Sequence, residues 1–226
     1  EIYTLSLHDA LPISSWGWMK GLVGERTWGE GYYRDLLPRI VAELDPATPY
    51  IPNSPFSPDL GDAPNAAATG DAHIWDVWNE KDYREYAAWT PRFASEFGFA
   101  GPMAWSTLVR SVHDAPLAPD GDQLAVHQKA EDGARKLSQG LAGHLPEPTD
   151  IRRWHWVTQL NQARAVAFGV RHWRSLQPVC TGTIIWQLND CWPVISWAVV
   201  DGDGVRKPAW FALQLEIGRA SCRERV

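Results

Sequence analysis

From Thr149 to Leu176 the chain carries one continuous apolar stripe. Ile151, Trp154, Val157, Leu160, Ala163, Ala167, Val170 and Trp173 recur every three or four positions, the spacing that aligns side chains on one face of an α-helix. Thr149 or Asp150 is placed to cap its first turn. A β-branched run, Thr181–Leu188 (TGTIIWQL), follows after a short connection and reads as a strand buried on both faces. Strands alternating with helices predict an α/β fold with parallel pairing. The alternation holds upstream. Tyr33, Leu36, Leu37, Ile40, Val41 and Leu44 give a helix over 30–45, closed by Asp45-Pro46. Strands are predicted near 49 (PYIPNS), over His73–Trp78 (HIWDVW) and over Arg92–Phe99 (RFASEFGF), with a short helix at 81–89, a polar loop at 111–123 and a closing helix at Lys207–Leu215.

With four strands, the chain fits half of an eight-stranded barrel, which needs about 250 residues. The expected architecture is therefore a partial (β/α)8 TIM barrel, roughly strands five to eight with their helices. Chemistry in such barrels sits at the C-terminal strand ends. That rule points to Trp75–Trp78, Glu96 and Trp186–Asp190.

Composition removes several function classes. A net charge of -6 in 226 residues disfavours nucleic-acid and anionic-membrane partners, which select basic surfaces. No apolar run approaches the roughly 20 residues of a bilayer span. Three cysteines cannot build a disulfide framework, so a cytoplasmic location is expected. The seven histidines are scattered and C-x-x-C is absent, which leaves no metal spacing. No phosphate-cradling or nucleophile-elbow motif is present, and no cofactor is expected. The 14 tryptophans are the outlier. Indole faces are suited to stacking on the apolar faces of sugar rings.

Three clusters carry candidate chemistry. Glu96 lies among Phe93, Phe97 and Phe99. A carboxylate there is costly unless it is hydrogen-bonded, for instance to Arg92 or another arginine, or used in a reaction. Trp186-Gln187-Leu188-Asn189-Asp190-Cys191-Trp192-Pro193 places polar groups between indoles after a predicted strand. It reads either as an Asn-Asp turn or as a set of partners for sugar hydroxyls. His73, Trp75, Asp76 and Trp78 form the third cluster, where a histidine beside tryptophans is as compatible with a core as with a site.

Four segments carry a resemblance: RDLLPRIVAELDPATPYIPNSPFS, HIWDVWNEKDYREY, PRFASEFGFAGP and GTIIWQLNDCWPVISWAVVDGDGVRKPAWFAL. Together they resemble the C-terminal half of the catalytic barrel of retaining β-mannosidases, in the glycosidase family that also holds β-galactosidases and β-glucuronidases. The resemblance spans most of residues 15–215. It implies that Glu96 is the catalytic nucleophile at the end of barrel strand seven. It implies further that Trp186 floors the sugar subsite, that His73, Trp75 and Trp78 wall the pocket, and that Asn189, Asp190 and Trp192 contact the sugar or support its site. The implied substrates are β-mannoside oligosaccharides. A related β-glucosaminidase, β-galactosidase or β-glucuronidase, or a non-catalytic carbohydrate-binding fragment, are the alternatives.

The family's acid/base glutamate belongs to an N-E motif just before the segment matching Ser15–Trp18. Here residues 1–13 (EIYTLSLHDALPI) resemble one frame of a sequencing adapter, and 216–226 (EIGRASCRERV) resemble a frame of its reverse complement. Both ends are expected to be artefacts flanking a domain at 14–215, with the acid/base upstream of it. Asn79-Glu80 is no substitute. Only 16 residues separate Glu80 from Glu96, whereas two strand–helix units of about 30 residues each should intervene. Glu25 and Glu30 lie downstream of where the motif belongs.

Overall fold

The computed structural model describes residues 31–57, 63 and 65–221. The adapter-like residues 1–13, Ser15–Trp18, Glu25, Glu30 and 222–226 lie outside the described residues. In chain order the described elements are α1 (Leu37–Leu44), entered through a π-helical turn at Tyr32–Leu36, β1 (Asp71–Ile74), α2 (Asp76–Asn79), a 3-10 turn at Tyr83–Ala88, β2 (Phe93–Phe97), α3 (Trp105–Ser111), α4 (Asp122–Val126), α5 (Gly133–Leu141), α6 (Ile151–Ser175), β3 (Thr183–Ile185) and α7 (Pro208–Ser221). The strands form one parallel sheet in the order β1-β2-β3. Thr181 N–H donates to Arg92 O and Trp186 N–H to Phe97 O, so β2 and β3 advance together. This is the α/β class expected from the alternation.

Three strand expectations are corrected. Residues 49–54 form no strand; Pro49 and Pro52 remove two backbone donors from so short a run. The strand expected over His73–Trp78 ends at Ile74. Trp75 turns to helical angles, and the amides of Glu80 and Lys81 both bond to Asp76 O, which closes α2. β3 has three residues, and Ile184 is 56% exposed, so that run is not covered on both faces. α3, α4 and α5 were not expected from the sequence, and α7 runs beyond Leu215 to Ser221.

The chain divides into two compact units. The described part of the first comprises 31–57, 63, 65–73, 90–95 and 178–182. Its organising group is Asp71, which accepts from Phe56 N–H at 2.8 Å, from the Ser95 hydroxyl at 2.5 Å and from the Ser54 hydroxyl. Asn65 clamps the His73 backbone through both its amide atoms, at 2.7 and 2.9 Å. This unit holds a cavity of about 950 Å³, largely apolar, with Tyr33, Phe56 and Phe93 among its walls and Ser54, Asp71 and Ser95 on its polar side. Glu96, Trp75, Trp186 and the other candidate site residues do not line it.

The second unit (74–89, 96–177 and the described part of 183–221) is built on α6. Asp150 caps α6 by accepting from Arg153 N–H at 2.8 Å, as the sequence predicts. Its apolar face closes an aromatic centre. The Trp173 ring lies 4.8 Å from Phe97 and 5.2 Å from Tyr86, both edge-on. Gly140 on α5 has no room for a side chain, since a Cβ there would meet Phe99 at 2.6 Å.

α6 also buries a row of amides that an apolar stripe does not announce. Gln159 Nε2 donates to Pro102 O and Met103 O, Asn161 Nδ2 to Gly140 O, and Gln162 Nε2 to Ser196 O, Trp197 O and Ala198 O. The helix thus fixes the segments that follow β2 and β3 by hydrogen bonds as well as by packing. No helix among the described residues is long and apolar enough to cross a membrane.

Phe97 is fully buried at the meeting point of Tyr86 and Trp173. Phe97→Ala is expected to destabilise the chain by about 3–5 kcal/mol, read as a drop in the urea midpoint. An unchanged midpoint would contradict this placement of the core.

Candidate active site

β2 carries Glu96 one residue before its end, half-buried beside the fully buried Phe97. The chain then turns through Gly98. A Cβ there would lie 2.4 Å from Trp186 O and 3.3 Å from the Trp197 side chain. Glycine is therefore what lets the segments after β2 and β3 close on each other.

The carboxylate of Glu96 accepts a hydrogen bond from the indole N–H of Trp75, Nε1 to Oε2 at 2.9 Å. This contact selects one carboxylate orientation, because an indole offers a single donor in a fixed plane. Trp75 is braced in turn. Its ring meets Trp186 edge-on at 6.2 Å and Trp197 at 5.7 Å. Trp197 continues to Trp78 at 6.3 Å, and Trp78 to Phe99 at 5.0 Å. Such edge-on pairs contribute about 0.5–1.5 kcal/mol each beyond burial. Glu96 thus stands against a wall of three interlocked indoles.

The structure brings together Trp75, Trp186 and Glu96 among the residues predicted from sequence. Trp78 lies beneath them, 4% exposed. Asp190 is also internal. Its side chain is fully covered and accepts from the Ser196 hydroxyl at 2.5 Å and from Lys129 Nζ at 3.2 Å. Asn189 is exposed and donates to Asp190 O. Trp192 is 38% exposed, with the His127 imidazole tilted over it at 5.5 Å. His73 belongs to the first unit, where its Nε2 lies 2.9 Å from the Ser54 hydroxyl.

Sequence reasoning missed Trp197, Lys129, His127 and Lys207. Trp197 lies in SWAVV, a run with no turn signal and no neighbouring carboxylate to mark it. Lys129 Nζ ties Gln187 to Asp190, and His127 holds Pro193 O through Nδ1, so the loop after β3 is anchored from the α4–α5 connection. Among the described residues, no group of three or more His, Cys, Asp or Glu could hold a metal ion.

No family model matches the chain. Over 187 residues, 80% of the chain, it is 37% identical to the proteins named β-mannosidase B from Aspergillus flavus and from Aspergillus oryzae, and it covers 22% of each. Neosartorya fischeri has a β-mannosidase B with the same identity and coverage. The crystal structure of a β-D-mannosidase from Dictyoglomus thermophilum aligns with a TM-score of 0.81 and 34% identity, over 85% of this chain and 24% of that one. The likeness is to glycoside hydrolases. Within them it is to β-mannosidases, in sequence and in fold alike. The chain spans about a fifth of the length of the curated relatives it matches.

Lys207, fully buried in this unit, has its ammonium pKa driven down to about 7 by burial, against the pull of Asp190 and Asp201. The unfolded chain keeps that proton up to the ordinary value of 10.5. Between these values the unfolded state binds more protons, so this group's contribution to stability rises with pH. Raising the pH from about 7 to about 9.5, inside that window, should raise the urea midpoint, and the rise should shrink in Lys207→Met. An identical pH slope in the two proteins would contradict the assignment.

Proposed function

We infer that residues 14–215 are the C-terminal part of the (β/α)8 catalytic domain of a retaining, exo-acting β-mannosidase, and that Glu96 is its nucleophile. The observation that carries this reading is the Trp75–Glu96 hydrogen bond among the indoles at the end of β2. The likeness to β-mannosidases over four fifths of the chain supports it from a second direction.

In a retaining glycosidase one carboxylate attacks the anomeric carbon while a second, about 5–5.5 Å away, protonates the departing oxygen. The C1–O bond to the aglycone breaks as the bond from Glu96 to C1 forms. Water then cleaves the glycosyl ester, with the second carboxylate taking its proton. The oxocarbenium-like transition state places positive charge near C1, where a pre-oriented anion stabilises it before the bond forms. Trp75 supplies the pre-orientation. Trp186 is the face on which the mannose ring stacks. Asn189 and Trp192, both exposed, are the groups after β3 that reach sugar hydroxyls and ring faces. Trp78 and Asp190 act from beneath by holding those groups. No described residue is assigned as the acid/base. The reaction calls for acids, bases and a nucleophile, and for no cofactor.

The test is an intact β-mannosidase polypeptide carrying this segment, assayed on an aryl β-mannoside. Glu96→Gln should lower kcat by at least about 10³-fold. Glu96→Gly should recover turnover with azide and release the α-mannosyl azide, since azide then attacks from the vacated face. Near-normal turnover by Glu96→Gln would refute the nucleophile. Preference for a β-galactoside or β-glucuronide would refute the substrate.

A further inference from the structure

Lys207 is among the largest fully buried side chains, and the reaction proposed above does not use it. A buried ammonium is expensive unless its protons are taken up, and an apolar side chain of that length would fill the same space at less cost. No carboxylate forms an ion pair with it among the described residues. Its Nζ donates instead to two backbone carbonyls, Gly101 O at 3.0 Å and Ser196 O at 3.3 Å.

Those two carbonyls belong to one antiparallel bridge. Gly101 N–H donates to Ser196 O at 2.9 Å and Ser196 N–H to Gly101 O at 3.2 Å. The bridge joins the segment leaving Glu96 to the segment entering Trp197. Gln162 pins the far side of Trp197 through the carbonyls of Trp197 and Ala198. Trp197 packs on Trp75, and Trp75 donates to Glu96.

We propose that Lys207 is a positioning residue of the Glu96 site: its ammonium clamps the Gly101–Ser196 bridge and so sets Trp197 against Trp75, the indole that orients the carboxylate. The charged groups acting on it come from every side. Asp190 and Asp201 attract it, Lys129 repels it, and the Lys207 charge in turn disfavours protonation of His155. Asp201 is itself held, accepting from Ala104 N–H at 3.0 Å and from the Thr107 hydroxyl at 2.7 Å. Burial leaves the amine close to its protonation midpoint near neutrality, which makes the clamp observable by pH.

The inference rests on the Glu96 reading only for its kinetic consequence, and the two can fail separately. The first measurement needs no activity. In the full chain labelled with 5-fluorotryptophan, the Trp197 resonance is identified by its loss in Trp197→Phe. It should move between about pH 6 and pH 8.5, the range around a midpoint near 7, and stay fixed in Lys207→Met. A Trp197 resonance that does not move with pH in the unaltered chain overturns the proposal, whether or not the variant folds. So does a Lys207→Met chain whose resonance still moves. The second measurement uses the intact β-mannosidase polypeptide. Lys207→Met should lower kcat about tenfold, roughly one pKa unit's worth of transition-state stabilisation, with KM little changed, and Lys207→Arg should restore part of it. Equal losses in kcat for Met and Arg, or a loss confined to KM, overturn it. If Glu96→Gln keeps its turnover while the fluorine signal behaves as expected, the clamp stands and the nucleophile falls.

Discussion

A half-buried carboxylate is held in one orientation by the groups that donate to it, and the Trp75 indole donates to Glu96 at 2.9 Å. The consequences run outward from this contact. An indole that orients a carboxylate must itself be immobile, which accounts for the edge-on rings of Trp186 and Trp197 against it. Those rings come from segments that meet where a Cβ on Gly98 would clash with Trp186 O. A side chain at 98 would push Trp186 and Trp197 away from the end of β2 that carries Glu96.

The scaffold beneath serves the same end. α6 could have been a purely apolar helix. Instead it spends Gln159, Asn161 and Gln162 on the backbone of the loops after β2, at α5 and around Trp197. A buried amide that satisfies several carbonyls fixes position more narrowly than dispersion contacts, whose energy varies slowly with small shifts. Lys207 adds a cationic donor at the Gly101–Ser196 bridge, which links the segment after Glu96 to the segment before Trp197.

The sequence made the α/β class, α6 with its Asp150 cap, β2 and the Glu96–Trp75–Trp186 grouping legible, because long apolar periodicity and specific motifs both survive local noise. What it concealed has physical causes. PYIPNS carries β-forming residues, but its prolines remove ladder donors. HIWDVW alternates like a strand, yet Asp76 O gathers two amides and the chain coils after Ile74. The short helices α3 to α5 are held by tertiary contacts that no window of a few residues contains. Trp197 and Lys207 lie within the last segment of the family resemblance, but their roles come from contacts across the fold that no local spacing announces. Asp190 reads in sequence like a group awaiting a hydroxyl, but Ser196 and Lys129 already occupy it.

Trapping with a 2-deoxy-2-fluoro-β-mannosyl fluoride, followed by peptide mapping of the intact β-mannosidase polypeptide, interrogates the central assignment most directly. The fluorine slows hydrolysis of the covalent intermediate, so the label stays on the residue that attacked C1. The account predicts a single labelled peptide containing Arg92–Phe99, modified at Glu96. A label on any other carboxylate, with Glu96 untouched, would contradict it.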